Sequence, residues 1–290
     1  MLEIHFQRLE DATPLFLQIK KNLSLSQTDN HILLDEDRHI VKIITNHLSE
    51  EAFRLIKKLF CDFILETKCD DWFRRIISDQ FYFQDQEEVQ QILDIVHSIL
   101  EGERKELAGF FKEFEHKNNL IQIVDQVMKR EISFSFDSFV KFRLRPFIDK
   151  LAKYVEISID EYKMELDYQM FIQTLRDFIS PRAPKLAHLH IVMGEDVTFY
   201  NDQFSVISRS EIMKMIDRKL LFNHPVYVDS TTIAPLLSIS PTTFCLYTKD
   251  LEQPLVRTIR NIFEERVVVE SIERFVQREN DYKPRRSENK

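Results

Sequence analysis

The sequence predicts a helix-rich α+β fold, with a long kinked central helix between a mostly helical N-terminal part and a small mixed α/β C-terminal part. Three observations predict it. Apolar residues recur at helical spacing through most of 49–130, one helical pattern then runs from 137 to 179, and the period changes from about 3.6 toward about 2 after Leu186. A chain of 290 residues is long enough to bury a substantial core, as one large domain or two.

We expect four segments along the chain. An N-terminal part of short strands followed by helices covers 1–132, and a central spine helix covers 133–184. A small α/β part covers 185–276. The last segment, 277–290, has few apolar residues and many charges, so it is predicted to be a disordered tail.

The N-terminal part opens on the alternating sequence LEIHF, which predicts a strand, followed by a helix with Pro14 at its first position. Residues 31–34 and 39–44 flank an acidic turn and predict a hairpin. Ser49 is predicted to cap the first of several amphipathic helices, and another helix is predicted after Asp85.

The central segment carries two apolar stripes on one helical pattern. Pro146 lacks an N–H and its ring clashes with the preceding turn, so it should kink the helix near 142–145, or end one helix there and begin another. Because the second stripe is rotated by more than a quarter turn, we expect the early and late parts of the helix to pack against two different bodies. The first stripe contains Phe147, Ile148, Leu151, Tyr154, Val155, Tyr162 and Leu166, and the second contains Ile157, Met164, Tyr168, Phe171, Leu175 and Phe178.

The C-terminal part alternates short strands with helices. We expect Pro181 and Pro184 to end the spine and a hairpin to follow it. The predicted strands are 188–193, 197–200, 225–228, 243–247 and 267–269, and the predicted helices are 210–221 and 255–265.

Composition excludes several classes of site. Only 3 of the 290 residues are glycine, so phosphate-binding loops of the Walker or GxGxxG type are excluded. Cys61, Cys69 and Cys245 have neither CxxC nor Cys/His spacing, which argues against a disulfide framework or a structural zinc site and favours a reducing cytoplasm. There is no export signal and no apolar run long enough to cross a membrane. We expect no cofactor.

Positive charge is concentrated in the first half of the spine, in Lys141, Arg143, Arg145, Lys150 and Lys153. On a helical wheel these cations form no single stripe, so most are interpreted as solvated or ion-paired side chains, with a surface for a protein partner as the second interpretation and nucleic acid as the third. The formal net charge of −8 disfavours nucleic acid further. A buried Arg143 would need a carboxylate partner, because aromatic residues flank it.

His188 and His190 are two residues apart on a predicted strand, and therefore on the same face. With His224 or Asp196 they could ligate a metal ion. An HxH pair alone is a weak signal, and ordinary strand histidines are the favoured interpretation. The sequence predicts no catalytic residues, because no nucleophile and base can be paired from their spacing.

Sequence blocks in the spine and beyond it resemble a known family. They are FVKFRL (139–144), EYKMELDYQMFIQTLRDFI (161–179), TTIAP (231–235), RTIRNIF (257–263) and RVVV (266–269). These blocks resemble the YtxC-like sporulation proteins of endospore-forming bacteria. The resemblance implies a role in sporulation and carries no biochemical activity. In and beside these blocks, the candidate partner-binding or motif residues are Phe139, Phe142, Arg143, Arg145, Glu161, Tyr168 and Phe171.

The sequence therefore predicts a cytoplasmic, sporulation-associated adaptor that binds an unknown protein partner and is not an enzyme, with a groove between its two bodies. One alternative is a nucleic-acid-associated factor that uses the basic half of the spine and the tail at 283–290. Another is a metal-dependent hydrolase built on His188 and His190.

Overall fold

The computed structural model describes residues 1–23, 31–46, 48–104, 116–217 and 231–282. The fold is a helix-rich α+β fold with two four-stranded mixed sheets, as predicted. The chain forms two compact units, Met1–Met164 and Glu165–Lys290. The boundary between the units falls within the longest helix.

The sheet of the first unit contains β1 (Leu2–His5), β2 (Ile32–Asp35), β3 (Ile40–Ile43) and β4 (Ser133–Ser135). Its strand order is β2-β3-β1-β4. The hairpin β2–β3 and the pair β1–β3 are antiparallel, as the alternating sequences predict, whereas β4 joins β1 in parallel. This parallel pair brings together strands from the two ends of the unit.

The helices of the first unit cover one side of a phenylalanine-rich core. Ser49 caps α2, as predicted, and Asp85 caps α4 at the start of the predicted helix; each side chain accepts hydrogen bonds from backbone N–H groups. Phe60 is fully buried, and its ring contacts those of Phe63, Phe136 and Phe139. The helices are α1 (Leu9–Leu23), α2 (Glu50–Phe63), α3 (Cys69–Arg75), α4 (Gln86–Leu100), α5 (His116–Val127) and α6 (Phe136–Phe142), with π-helical turns at Ile64–Lys68 and Ile76–Gln80.

Helix α7 (Arg145–Ile179) belongs to both units. Its early stripe packs in the first core through Phe147, Leu151, Tyr154, Val155 and Tyr162. Its late stripe packs in the second core, with Leu175 buried and Tyr168, Phe171 and Phe178 partly buried. The prediction that one helix serves two bodies is therefore confirmed. Three residues depart from the predicted stripes: Ile157 packs against the first core instead of the second, and Leu166 and Met164 are exposed.

The second unit is built on a sheet of strand order β6-β5-β7-β8. Strands β5 and β6 form the predicted hairpin, and β7 and β8 continue the sheet in parallel. The strands are β5 (His188–Met193), β6 (Val197–Asn201), β7 (Thr243–Thr248) and β8 (Val267–Ser271), and the helices after α7 are α8 (Arg209–Met215), α9 (Ile233–Ile239), α10 (Pro254–Phe263) and α11 (Ile272–Tyr282).

Three predictions about helix ends are wrong. The helix predicted at 210–221 ends at Met215, because the backbone of Ile216 is extended. Helix α1 begins at Leu9, not at Pro14, because its buried stripe already starts at Ala12 and the Thr13 hydroxyl donates to the carbonyl of Leu9. Residues 277–282, predicted to lie in a disordered tail, continue helix α11 because Phe275 anchors that helix in a buried aromatic cluster. Residues 283–290 and the predicted strand 225–228 lie outside the described residues.

None of the helices in the part of the chain that the structure describes combines the length and apolar character needed to span a membrane.

The core around Phe60 makes a direct stability test. Phe60→Ala should lower the free energy of unfolding by about 3–5 kcal/mol, because it leaves a cavity among four aromatic neighbours. Chemical denaturation followed by circular dichroism measures this loss. Phe142→Ala is the matched control, since the Phe142 side chain is 71% exposed and its removal should change stability by less than about 0.5 kcal/mol. Equal effects of the two substitutions would contradict this assignment of the core.

Candidate functional site

The sequence around Pro146 breaks the helical pattern into two helices. Ser135 caps α6 by accepting a hydrogen bond from the N–H of Ser138, and α6 ends at Phe142. The N–H groups of Arg143 and Leu144 both bond to the carbonyl of Phe139, so the chain tightens there before α7 begins. Pro146 occupies the second position of α7, where its missing N–H costs nothing. The break that the sequence predicts near 142–145 is confirmed.

The break separates buried anchors from exposed groups. Phe139, Leu144 and Phe147 are buried in the core of the first unit. The side chains between them, Lys141, Phe142, Arg143 and Arg145, are exposed; we call these four residues the basic corner. The Lys141 ammonium lies 5.6 Å from the centroid of the Phe142 ring. Among the described residues, no carboxylate is within ion-pair distance of the three cations of the corner.

The remaining candidate residues of the spine do not join this corner. Glu161 forms a half-buried ion pair with Arg104 in the first unit. In the second unit, the Tyr168 hydroxyl accepts a hydrogen bond of 3.1 Å from the Asn261 amide, and Phe171 packs against the core. Phe139 is a core residue. The structure thus brings together only Phe142, Arg143 and Arg145 of the seven.

The other cations of the basic half are partly accounted for. Lys153 forms an ion pair of 2.6 Å with Glu156, one turn away on α7. Lys150 lines a shallow, largely apolar cavity of about 200 Å³ together with Leu120, Pro146 and Phe147. The unpaired positive charge in the first half of the spine is therefore concentrated in the basic corner. These positions agree with the prediction, made from the helical wheel, that the five cations form no single stripe.

A second feature, which the sequence analysis missed, is a cavity of about 290 Å³ in the first unit. It lies where β1 and β4 end and lead into α1 and α6. We call it the cationic cavity. Its lining residues are Gln7, Arg8, Asp11, Lys68, Trp72, Arg75, Phe136, Asp137, Val140 and Lys141. Because the parallel pairing of β1 with β4 is non-local, no short-range pattern could have located it.

Lys68 lies at the inner side of this cavity and is only 6% exposed. Its ammonium donates to Asp11 at 2.8 Å and to Asp71 at 2.6 Å. Burial alone would lower the pKa of Lys68, but the two carboxylates outweigh burial and raise that pKa above its ordinary value. The buried lysine is therefore a permanent cation.

The predicted histidine pair lies on the face of the second sheet that α11 covers. His190 is paired in register with Cys245 on β7, and the rings of His188 and His190 are 4.8 Å apart. One donor atom from each of His188, His190 and Cys245 lies within 4.8 Å of the others. Cys245 takes the place of the predicted third ligands, since Asp196 is not in the cluster and His224 lies outside the described residues.

The surroundings of this cluster oppose a divalent metal ion. Arg278 of α11 donates to the Cys245 sulfur and to the Tyr247 hydroxyl, each at 3.2 Å, and pairs with Glu270 at 2.9 Å. A guanidinium beside the sulfur places positive charge where a metal cation would bind. We interpret the cluster as a buried polar network that holds α11 against the sheet.

Burial, together with the neighbouring His188 and Arg278, lowers the pKa of His190 to about 4. Its Nδ1 hydrogen-bonds with the Tyr247 hydroxyl at 3.1 Å, and Phe204 stacks on its ring at 4.2 Å. Burial also raises the pKa of Tyr247. Both side chains are therefore neutral near pH 7, as a packed network requires.

Comparison with known proteins gives the family. The model of the YtxC-like family matches residues 54–268, from within helix α2 to within strand β8. The chain belongs to the YtxC-like family. It is 35% identical over 279 residues to the uncharacterized protein YtxC of Bacillus subtilis (strain 168), covering 96% of this chain and 97% of that relative. No solved structure matches the chain. The YtxC-like match contains the basic corner but not Arg8 or Asp11 of the cationic cavity.

The His190 environment makes stability depend on pH. An unfolded histidine titrates near 6.5, whereas folded His190 titrates at about 4, so the unfolded chain binds the extra proton between these values. The contribution of neutral His190 to the free energy of unfolding is thus complete above about pH 6.5. As the pH falls toward 4, this contribution of up to about 3 kcal/mol is lost. A proton NMR titration of the His190 ring should give a midpoint near pH 4. A midpoint above 6 would contradict the buried network.

Proposed function

We propose that this protein is a sporulation-associated cytoplasmic adaptor, without catalytic activity of its own, that binds an acidic surface of a partner protein through the basic corner. One observation carries the proposal: Phe142, the last residue of α6, is 71% exposed, and Lys141, Arg143 and Arg145 are exposed beside it in the chain. Aromatic residues and arginine are enriched among the side chains that dominate binding energy at protein interfaces.

The corner is rigid before any partner arrives. Three buried anchors, Phe139, Leu144 and Phe147, hold the turn from both sides, and backbone hydrogen bonds fix the end of α6. A preorganised surface loses little conformational entropy when it binds. The exposed aromatic ring therefore offers apolar area at small entropic cost, and the surrounding cations select the charge of the partner.

The charge of the corner favours a protein over a nucleic acid. The chain has a net charge of −8, and the corner contributes only three cations. Proteins that bind nucleic acid through phosphates commonly neutralise about 6–10 of them. A small basic patch around an aromatic ring suits a compact acidic patch on a protein better than a polyanion.

The sporulation and cytoplasmic parts of the proposal have separate grounds. Family resemblance implies sporulation, and the cytoplasm suits the three buried cysteines, all of which are free thiols. The name of the Bacillus subtilis relative states no activity, so the proposal rests on the residues of this chain.

The test separates binding from folding. Phe142→Ala and Arg143→Ala should each weaken capture of the partner from sporulating cells by about 30-fold and lower the yield of heat-resistant spores, while the melting temperature stays unchanged. Arg54→Ala, an exposed arginine on α2, is the matched control and should leave all three measurements unchanged.

Three results would contradict the proposal. The first is a fall in melting temperature that accounts for the loss of spores in either corner variant. The second is full spore yield in both variants. The third is salt-dependent binding of DNA or RNA that the corner variants abolish, which would favour the nucleic-acid alternative.

A further inference from the structure

We infer that the cationic cavity is a binding site for a small molecule that carries a phosphate group. This goes beyond the adaptor function, because it assigns a ligand to a different part of the first unit. The cavity and the basic corner share one residue, Lys141, whose ammonium also lies near the Phe142 ring.

The position of the cavity in the sheet is the first argument. Strands β1 and β4 are adjacent and parallel, with His5 paired to Ser135 at their carboxyl ends. Gln7 and Arg8 follow β1, and Phe136 and Asp137 follow β4, so both connections reach the same edge. In open α/β sheets, ligands bind outside the carboxyl ends of parallel strands, and the β1–β4 pair has this geometry locally.

The charges of the lining are the second argument. Four cationic and two carboxylate side chains line the cavity, and positive charge remains in excess when Asp71, which pairs with Lys68, is counted as a third carboxylate. Arg8, Arg75 and Lys141 come from three different elements, and no carboxylate in the described part of the chain is within ion-pair distance of them. Cations that converge from several directions match a multivalent tetrahedral anion better than a single flat carboxylate.

Lys68 supplies the fixed part of the site. Asp11 and Asp71 hold its ammonium, so this cation is positioned by the fold, while Arg8, Arg75 and Lys141 lie at the exposed side. Because the two carboxylates compensate its charge, Lys68 offers a fixed inner N–H donor, and the cations that an anion would meet are the outer Arg8, Arg75 and Lys141. Arginine and lysine together are typical of phosphate recognition.

The apolar part of the lining limits the kind of ligand. Trp72, Phe136 and Val140 form one wall, and about 290 Å³ accommodates a small organic molecule. Asp137 also lines the cavity and opposes an anion, so its replacement should strengthen binding. The expected ligand is thus a phosphomonoester with a compact apolar or ring-shaped body beside its phosphate.

Trp72 provides the readout, because it is the single tryptophan of the chain and lines the cavity. Phenyl phosphate and inorganic phosphate, titrated into the full-length protein at low salt, should each change its fluorescence saturably. Arg75→Gln should raise the dissociation constant at least about 10-fold, and Asp137→Asn should lower it. Arg54→Gln removes the same charge from α2, outside the cavity, and should leave binding unchanged.

The inference is overturned by any of three results. One is the absence of both a saturable fluorescence change and a thermal shift at millimolar phenyl phosphate. Another is that Arg75→Gln and Arg54→Gln raise the dissociation constant of phenyl phosphate equally, which would indicate a general ionic effect. The last is binding of succinate as tight as that of phenyl phosphate, which would show a carboxylate site instead. Because the corner tests use Phe142 and Arg143, failure here leaves the adaptor proposal separately testable.

Discussion

The break between helices α6 and α7, from Phe142 to Arg145, constrains the whole first unit. Pro146 prevents a continuous helix, since its ring would clash with the preceding turn. Three large side chains, Phe139, Leu144 and Phe147, must nevertheless reach the same core. The chain satisfies both demands with a tight turn, and the residues between the anchors are left in solvent.

Helix α6 therefore contributes to two features at the surface of the first unit, the basic corner and the cationic cavity. One side of its last turn carries Phe142 and the neighbouring cations, and Lys141 also lines the cationic cavity beside β1 and β4. Because α6 follows β4 directly, the sheet that closes the core also positions the cavity. The proposed partner surface and the proposed ligand site depend on one short helix, so a bound ligand would act on Lys141 within reach of the corner.

Local chemistry was predictable from the sequence, and long-range placement was not. Ser49 and Pro146 act on their immediate neighbours, so the cap of α2 and the helix break followed from sequence. The HxH spacing correctly placed His188 and His190 on one face, but Cys245 comes from a different strand. Helix α11 was missed because it is polar except for anchors such as Phe275, and Arg278 fixes it by bonds to β7. The cationic cavity depends on the parallel β1–β4 pair, which no local pattern reveals.

Site-specific photo-crosslinking would test the basic corner most directly. A photoreactive phenylalanine analogue at position 142, introduced in sporulating cells, should crosslink to one acidic protein. The same analogue at Tyr82, which is 79% exposed, should not crosslink to it. We expect Arg143→Ala to abolish the crosslink at position 142. A crosslink to nucleic acid, the same products from both positions, or no product at position 142 would contradict the assignment of this surface.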